Sequence, residues 1–177
     1  LIKLLQEKRE SEINRAVTKG LDDTVAMKDS GIEWIGEIPE GWESRKLRTV
    51  CNIFGRIGYR GYTINDIVEE GEGAITLSPS NIIDDKFDLN KKIYLSWMKY
   101  DESPEIQIFD NDILFVKTGS TVGKVCMVTN AIEKMTINPQ LVVLKSVKIN
   151  SNFLLFFMIS NVFKDQIYAS IVGGSTP

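Results

Sequence analysis

The loop KTGSTVGK, residues 117–124, gathers the side chains best suited to chemistry in this sequence. Its lysines and hydroxyl groups can donate hydrogen bonds to phosphate oxygens, while Gly119 and Gly123 can adopt positive φ and bring the backbone close to a ligand. A phosphate-bearing partner is therefore the first hypothesis for this loop. The candidate donors are Lys117, Thr118, Ser120, Thr121 and Lys124.

Two other interpretations of this loop exist. A Walker A motif would need one more residue between its glycines and a Ser or Thr after Lys124, and a helix rather than a strand should follow it. Nucleotide hydrolysis is therefore disfavoured. A tight β-turn with a solvated rim fits the same residues, and this interpretation stays open.

Residues for enzyme chemistry are scarce elsewhere. The sequence contains no His, and its only cysteines, Cys51 and Cys126, each lie in an apolar run. A conventional zinc site and a Ser/His or Cys/His pair are thereby excluded, and two buried thiols are favoured over a disulfide. Asp84, Asp85 and Lys86 could serve a magnesium-dependent nuclease, but such a loop triplet often occurs by chance. We predict no catalytic residue and no metal site.

Charge is distributed unevenly along the chain. Residues 1–43 hold 6 Lys and Arg against 10 Asp and Glu, whereas residues 44–177 hold 15 against 14. Residues 45–60 carry basic side chains and no acidic one, with Tyr59 among them and Tyr62 just beyond. Such a patch is typical of nucleic-acid contact, and a solvated strand and turn is the alternative. Its basic residues are Arg45, Lys46, Arg48, Arg56 and Arg60.

Short apolar runs bounded by Gly, Pro, Asn or Asp predict the strands that must position these loops. Two of them, residues 112–117 and 124–128, flank the KTGSTVGK loop. Residues 152–171 instead predict a helix whose phenylalanines pack into the core. The fold class is therefore mixed α+β and largely antiparallel. The remaining predicted strands are residues 48–54, 74–77, 92–96, 105–109 and 141–146.

The first part of the chain differs in character. Residues 1–20 have apolar positions compatible with a helix that ends at Lys19 and Gly20, and we expect the C-terminal part of a longer coiled-coil-type helix with no partner for its apolar stripe inside the chain. Residues 21–43 predict an irregular connector, and residues 44–177 a separate domain. No apolar run approaches the ~20 residues of a membrane span, so we expect a cytoplasmic protein.

A resemblance to a known family rests on the run KDSGIEWIGEIPEGWESRKL, residues 28–47, directly after AVTKGLDD. It resembles the junction between the central conserved helix and the second target recognition domain in the DNA-specificity subunit of type I restriction-modification enzymes. SPSNI, SPEI, DILFVKTGSTVGK, INPQL and GGSTP follow in the order of that family. The resemblance covers nearly the whole chain and about half of such a subunit.

This resemblance implies a non-catalytic domain that binds one half of a bipartite double-stranded DNA site. It also implies methyltransferase and motor-nuclease partner subunits, which would carry S-adenosylmethionine, ATP and Mg²⁺, and pairing of the opening helix with the absent conserved helix or with another copy. Residues 138–141, NPQL, lack the second proline and the aromatic residue of an adenine methyltransferase motif, so this chain should bind no cofactor.

The DNA interpretation divides the candidate residues into two groups. The basic patch and the KTGSTVGK loop would contact phosphates, whereas base edges need paired donors and acceptors or planar groups. The rival interpretation is a protein-interaction or structural domain in which the loop is only a turn. The candidates for base contacts are Arg56, Arg60, Tyr62, Asn81, Asn138 and Gln140.

Overall fold

The computed structural model describes residues 1–172, and they form two compact units. The first unit combines Leu1–Val50 with residues 148–172, and the second is Cys51–Val147. The sequence analysis instead predicts boundaries after residues 20 and 43, which separate the helix, the connector and the recognition domain. These boundaries stay a prediction. The motif GGSTP, residues 173–177, lies outside the described residues.

Residues 1–172 form five α-helices and twelve strands. The helices are α1 (Ile2–Lys19), α2 (Leu47–Val50), α3 (Trp97–Asp101), α4 (Ser151–Ile159) and α5 (Asn161–Val172). The strands are β1 (Met27–Asp29), β2 (Glu37–Pro39), β3 (Asn52–Gly55), β4 (Ile67–Val68), β5 (Gly73–Leu77), β6 (Ile82–Ile83), β7 (Lys86–Phe87), β8 (Tyr94–Ser96), β9 (Ile113–Val116), β10 (Val125–Met127), β11 (Met135–Ile137) and β12 (Leu141–Lys145). Within residues 1–172, no helix is both long enough and apolar enough to cross a membrane.

In the first unit, α1 packs its final turns against α4 and α5. Val17 is buried there, and the backbone N–H of Asn161 donates to the side chain of Asn14 over 2.8 Å. The expectation that the stripe of α1 has no partner inside the chain is therefore wrong for its second half. The first turns, by contrast, expose Leu4 and Leu5 to solvent.

Two further sequence expectations for this unit need correction. The connector contains an antiparallel hairpin of β1 and β2, which is too short to give a sequence period. The predicted helix 152–171 is two helices, because Ser160 has an extended ψ of 154°. The Ser160 hydroxyl donates to the Phe157 carbonyl over 2.6 Å and accepts from the Phe163 N–H over 3.4 Å, so it also caps the start of α5.

The second unit contains two four-stranded sheets and the small hairpin of β6 and β7. One sheet has the order β10-β9-β12-β3 and is antiparallel throughout. The other has the order β11-β5-β8-β4, in which only the β11–β5 pair is parallel. The predicted α+β, largely antiparallel fold class is confirmed.

One apolar core joins the two sheets of this unit. Leu114 faces Cys126 and Val143 across neighbouring strands, and all three belong to a buried cluster that also contains Ile75 and Ile137 of the other sheet. Burial raises the pKa of the Cys126 thiol to about 12, which leaves it protonated at neutral pH. Cys51 and Cys126 are both buried thiols, as predicted, and no disulfide joins them.

Sequence periodicity misassigned two segments near this core. Residues 105–109 alternate apolar and polar side chains, yet Pro104–Ile106 is a 3₁₀-helix and Ile108 makes a single bridge to Met135. The alternation reflects the burial of Ile106 and Ile108 rather than a strand. Residues 48–54 likewise split between the end of α2 and β3.

The sheet register gives a prediction about Gly73. A Cβ at this position would stand 2.0 Å from the carbonyl oxygen of Leu95, which is backbone and cannot rotate away. We expect Gly73→Ala to lower the free energy of unfolding by ~3 kcal/mol in denaturant titrations. Gly58→Ala is the control, since nothing lies within 4 Å of its Cβ position. Equal midpoints for both variants would contradict the pairing of β5 with β8.

Candidate nucleic-acid interface

The KTGSTVGK loop connects β9 to β10 and is closed by the backbone. The Gly123 N–H donates to the Val116 carbonyl over 3.0 Å, and the Val116 N–H donates to the Lys124 carbonyl over 2.9 Å. Gly119 and Gly123 have φ of 95° and 94°, a region that other residues rarely adopt. The loop is therefore a tight turn, and its side chains project from a fixed backbone.

A second turn, Asn138 to Gln140, lies beside this loop. The Lys117 N–H donates to the Gln140 carbonyl over 2.9 Å, and a Cβ on Gly119 would stand 3.0 Å from the Gln140 side-chain nitrogen. The buried Asn138 amide donates to Gln140 Oε1 over 3.1 Å, and its Oδ1 accepts the Gln140 N–H over 3.0 Å. Asn138 thus orients the exposed Gln140.

The two lysines of the loop extend in different directions. Lys117 Nζ lies 3.6 Å from the Cβ position of Gly55, at the end of β3. Lys124 Nζ donates to the Ile82 carbonyl over 3.3 Å. Both side chains are exposed, so each can also bind an anion from solvent.

Asn81, a predicted base contact, is held by hydrogen bonds inside a turn. It is buried, and its amide donates to the carbonyls of Asp88 and Lys91 over 3.0 and 2.8 Å. Its Oδ1 accepts the Ser78 N–H over 2.9 Å, which closes a capping box. These bonds use both amide hydrogens, so contact with a base would require the turn to open.

Arg56 is also buried, with 4% of its surface exposed. Its Nε donates to the Ile137 carbonyl over 3.0 Å, one terminal nitrogen to Thr136 Oγ1 over 3.0 Å, and the other to the Arg60 carbonyl over 3.2 Å. Burial lowers the pKa of the guanidinium, and neighbouring Tyr62 is the largest opposing influence. An arginine nevertheless stays charged at neutral pH. Arg56 therefore fastens residues 56–60 to β11.

The segment that Arg56 fastens carries three further candidates. Tyr59 is 78% exposed, and the Arg60 guanidinium lies 5.5 Å from the centre of its ring. Arg60 also forms an ion pair of 3.2 Å with Glu105. Tyr62 lies under the Arg56 guanidinium at 5.4 Å, with its hydroxyl 3.5 Å from Thr76 Oγ1. Sequence reasoning missed Glu105, because nothing local connects it with Arg60.

These segments lie at the same end of the sheets. Val116, which precedes the KTGSTVGK loop, pairs with Leu141 at the start of β12, and Gly55 at the end of β3 pairs with Val142. The last pair of β11 and β5 joins Ile137 to Leu77. The loop, the 138–140 turn and the 56–62 segment therefore lie next to one another.

The basic patch predicted for residues 45–60 does not fall within one unit. Arg45, Lys46 and Arg48 belong to the first unit and are exposed, and Arg45 forms an ion pair with Glu43. Arg56 and Arg60 belong to the second. The two parts must therefore be tested separately.

The two carboxylates considered for a magnesium-dependent nuclease site lie in a hairpin turn. Asp84 and Asp85, with φ of 50° and 60°, are the two turn residues between β6 and β7. Two successive residues with positive φ are typical of the type I′ turn that closes a two-residue hairpin. Among residues 1–172, no group of three His, Cys, Asp or Glu side chains is arranged to hold a metal ion.

The three hydrogen bonds of the Arg56 side chain yield a prediction. Arg56→Met removes three donors from buried acceptors, so we expect the free energy of unfolding to fall by ~2–4 kcal/mol in denaturant titrations. Arg48→Met, at an exposed position, should change it by less than about 0.5 kcal/mol. An Arg56→Met variant as stable as the control would show that these hydrogen bonds do not stabilise the fold.

No protein family model matches the sequence. The chain is 24% identical over 181 residues to the specificity subunit of the type I restriction enzyme MjaVIII from Methanocaldococcus jannaschii. The match covers 99% of this chain and 41% of that protein. The chain therefore spans about two fifths of the length of this curated relative.

Two solved structures share the fold of this chain. The HsdS subunit from Thermoanaerobacter tengcongensis matches with a TM-score of 0.61 and 18% identity, over 94% of this chain and 36% of that chain. A chain from work on complex assembly and conformational transition of the type I R-M system matches with a TM-score of 0.54 and 17% identity, over 89% and 35%. By sequence along its length and by fold, the chain resembles the target recognition part of type I restriction enzyme specificity subunits, which confirms the resemblance predicted from its motifs.

Proposed function

We propose that this chain recognises one half of a bipartite double-stranded DNA site as part of the specificity subunit of a type I restriction-modification enzyme. The observation that carries the proposal is the convergence of the KTGSTVGK loop, the 138–140 turn and the 56–62 segment at one end of the sheets in the second unit. Donors for phosphates and planar groups for bases then lie side by side, as DNA recognition requires.

The KTGSTVGK loop supplies the phosphate contacts in this proposal. Lys117 and Lys124 provide positive charge, and Thr118, Ser120 and Thr121 add hydroxyl donors beside them. Because the backbone hydrogen bonds already fix the turn, little conformational entropy is lost when the loop contacts DNA. Such contacts set the register of the domain on the duplex and carry no sequence information directly.

The base contacts come from exposed or half-buried side chains beside the loop. Gln140 presents an amide that Asn138 orients, and a glutamine amide can pair with the two polar atoms of an adenine edge. Arg60 and the ring of Tyr59 provide a second group, with Tyr62 as a neighbour. Asn81, Asn138 and Arg56 support this surface from below and are not in our base-reading set.

The first unit has a separate role. Exposed Arg45 and Lys46 offer further phosphate contacts. The apolar side chains on the first turns of α1 would pair with the other conserved helix of such a subunit or with another copy of the chain. Through such helices the specificity subunit would set the distance between its two half-sites.

Chemistry belongs to partner subunits in this proposal. The methyltransferase subunits would bind S-adenosylmethionine, and the motor-nuclease subunit would use ATP and Mg²⁺. This chain is not an enzyme in that assembly and directs its partners to a sequence in cytoplasmic DNA. The specificity of the complex would then be set by the small group of side chains described above.

Salt dependence of binding tests the phosphate contacts. Each lysine that contacts a phosphate releases about one counterion, so Lys117→Ala and Lys124→Ala should each make the negative slope of log K against log salt less steep by about 0.9. Affinity should fall similarly on every duplex, measured by fluorescence anisotropy at several salt concentrations.

Lys134→Ala is the matched control, because Lys134 precedes β11 whereas Asn138 follows it at the other end. Its salt slope should equal that of the wild type. Unchanged slopes for Lys117→Ala and Lys124→Ala, with unchanged melting temperatures, would mean that the loop is only a turn between strands. A lower melting temperature with an unchanged slope would assign the lysine a structural role instead.

A further inference from the structure

We propose that Glu105 is a positioning residue for specificity, which holds the Arg60 guanidinium in the orientation that reads a guanine. The inference rests on the proposed function and gives a role to Glu105, which lies in the SPEI motif but is not among the predicted site residues. Arginine suits guanine because two of its N–H groups match the O6 and N7 acceptors in the major groove. Such a match demands a fixed guanidinium plane.

The backbone of Arg60 is fixed first. Residues Gly58–Arg60 form a 3₁₀ turn in which the Arg60 N–H donates to the Ile57 carbonyl over 2.9 Å. The Arg60 carbonyl accepts a hydrogen bond of 3.2 Å from the buried Arg56. The Cα of Arg60 is thereby tied to β11, although the segment lies outside both sheets.

The side chain of Arg60 is then held in two directions. Its Nη1 donates to Glu105 Oε1 over 3.2 Å, and its guanidinium lies 5.5 Å from the centre of the Tyr59 ring. The hydrogen bond fixes rotation within the plane, and the ring restricts tilt of the plane. Because this bond uses one of five N–H groups, the others can meet a base edge.

Glu105 itself stands on a rigid base. It lies in the 3₁₀-helix Pro104–Ile106, between Ser103 and Ile106, which are both fully buried. The side chains of Arg60 and Glu105 keep 30% and 27% of their surfaces exposed, so the pair is partly desolvated and still open to a ligand. Glu102, the neighbouring carboxylate, pairs with Lys99 over 3.0 Å.

Stability and charge both argue against a merely structural pair. A partly exposed ion pair contributes little to folding, and a carboxylate beside a DNA-binding surface repels phosphates. Glu105 therefore weakens binding to DNA in general. A carboxylate at this position is useful for recognition if its effect on the orientation of Arg60 outweighs that repulsion.

The experiment first selects the preferred half-site of the chain from random duplexes. Binding is then measured on that duplex and on a series of duplexes in which one guanine at a time is replaced. The ratio of the affinity for the selected duplex to the affinity for a replaced one is the discrimination at that guanine. Arg60→Ala should remove the discrimination at one guanine, a loss of about 5- to 150-fold. Glu105→Ala should lower the same ratio by about fivefold or more while affinity for unrelated duplexes rises.

Glu105→Gln separates orientation from charge, because it keeps an acceptor oxygen for Arg60 and loses the same charge. Its discrimination should lie between those of the wild type and Glu105→Ala. Glu133→Ala is the matched control, since Glu133 pairs with Lys92 over 2.5 Å with similar exposure, 34% and 32%. Its discrimination should equal that of the wild type. If Glu105→Ala fails to fold in a melting curve, a Glu105→Gln ratio below that of the wild type carries the test.

The outcomes distinguish this inference from the proposed function. If both Glu105 variants bind all duplexes more tightly with unchanged discrimination, Glu105 is only a charge and the inference is wrong. A selected half-site with no guanine that depends on Arg60 overturns it as well. If the wild-type chain shows no sequence preference at all, the proposed function fails instead.

Discussion

A guanidinium that is removed from water must find hydrogen-bond acceptors, and the way Arg56 meets this demand organises the candidate DNA-binding surface. Its three bonds reach the Ile137 carbonyl, the Thr136 hydroxyl and the Arg60 carbonyl. An irregular segment after β3 is thereby fixed to a strand of the other sheet. Without these bonds, the loop that carries Tyr59 and Arg60 would not be tied to β11, and the two side chains could not be held in one orientation.

Across this surface, hydrogen bonds hold the backbone and the buried polar groups in place, and exposed donors lie next to them. Asn138 uses its amide to hold Gln140, Asn81 closes a turn, and backbone bonds close the KTGSTVGK loop. Each buried polar side chain satisfies carbonyls or N–H groups that would otherwise be costly to bury. The exposed neighbours can then contact a partner with little loss of conformational entropy.

Local signals allowed much of this architecture to be predicted. The KTGSTVGK turn and its two strands follow from adjacent apolar runs and two glycines with positive φ. The roles of Arg56 and Asn81 could not be predicted, because burial depends on the fold. The acceptors of Arg56 on β11 lie 80 and 81 residues away in the sequence. The same is true of Glu105, whose pairing with Arg60 spans 45 residues, and of Ser160, whose extended backbone divides an otherwise continuous helical pattern.

Recognition of a half-site by this chain is the central claim, and methylome sequencing of the source genome tests it most directly. Deletion of the gene should abolish adenine methylation at one bipartite motif and leave other motifs unchanged. Restoring the gene with the wild-type sequence should restore that motif. A methylome that is identical with and without the gene would contradict the claim.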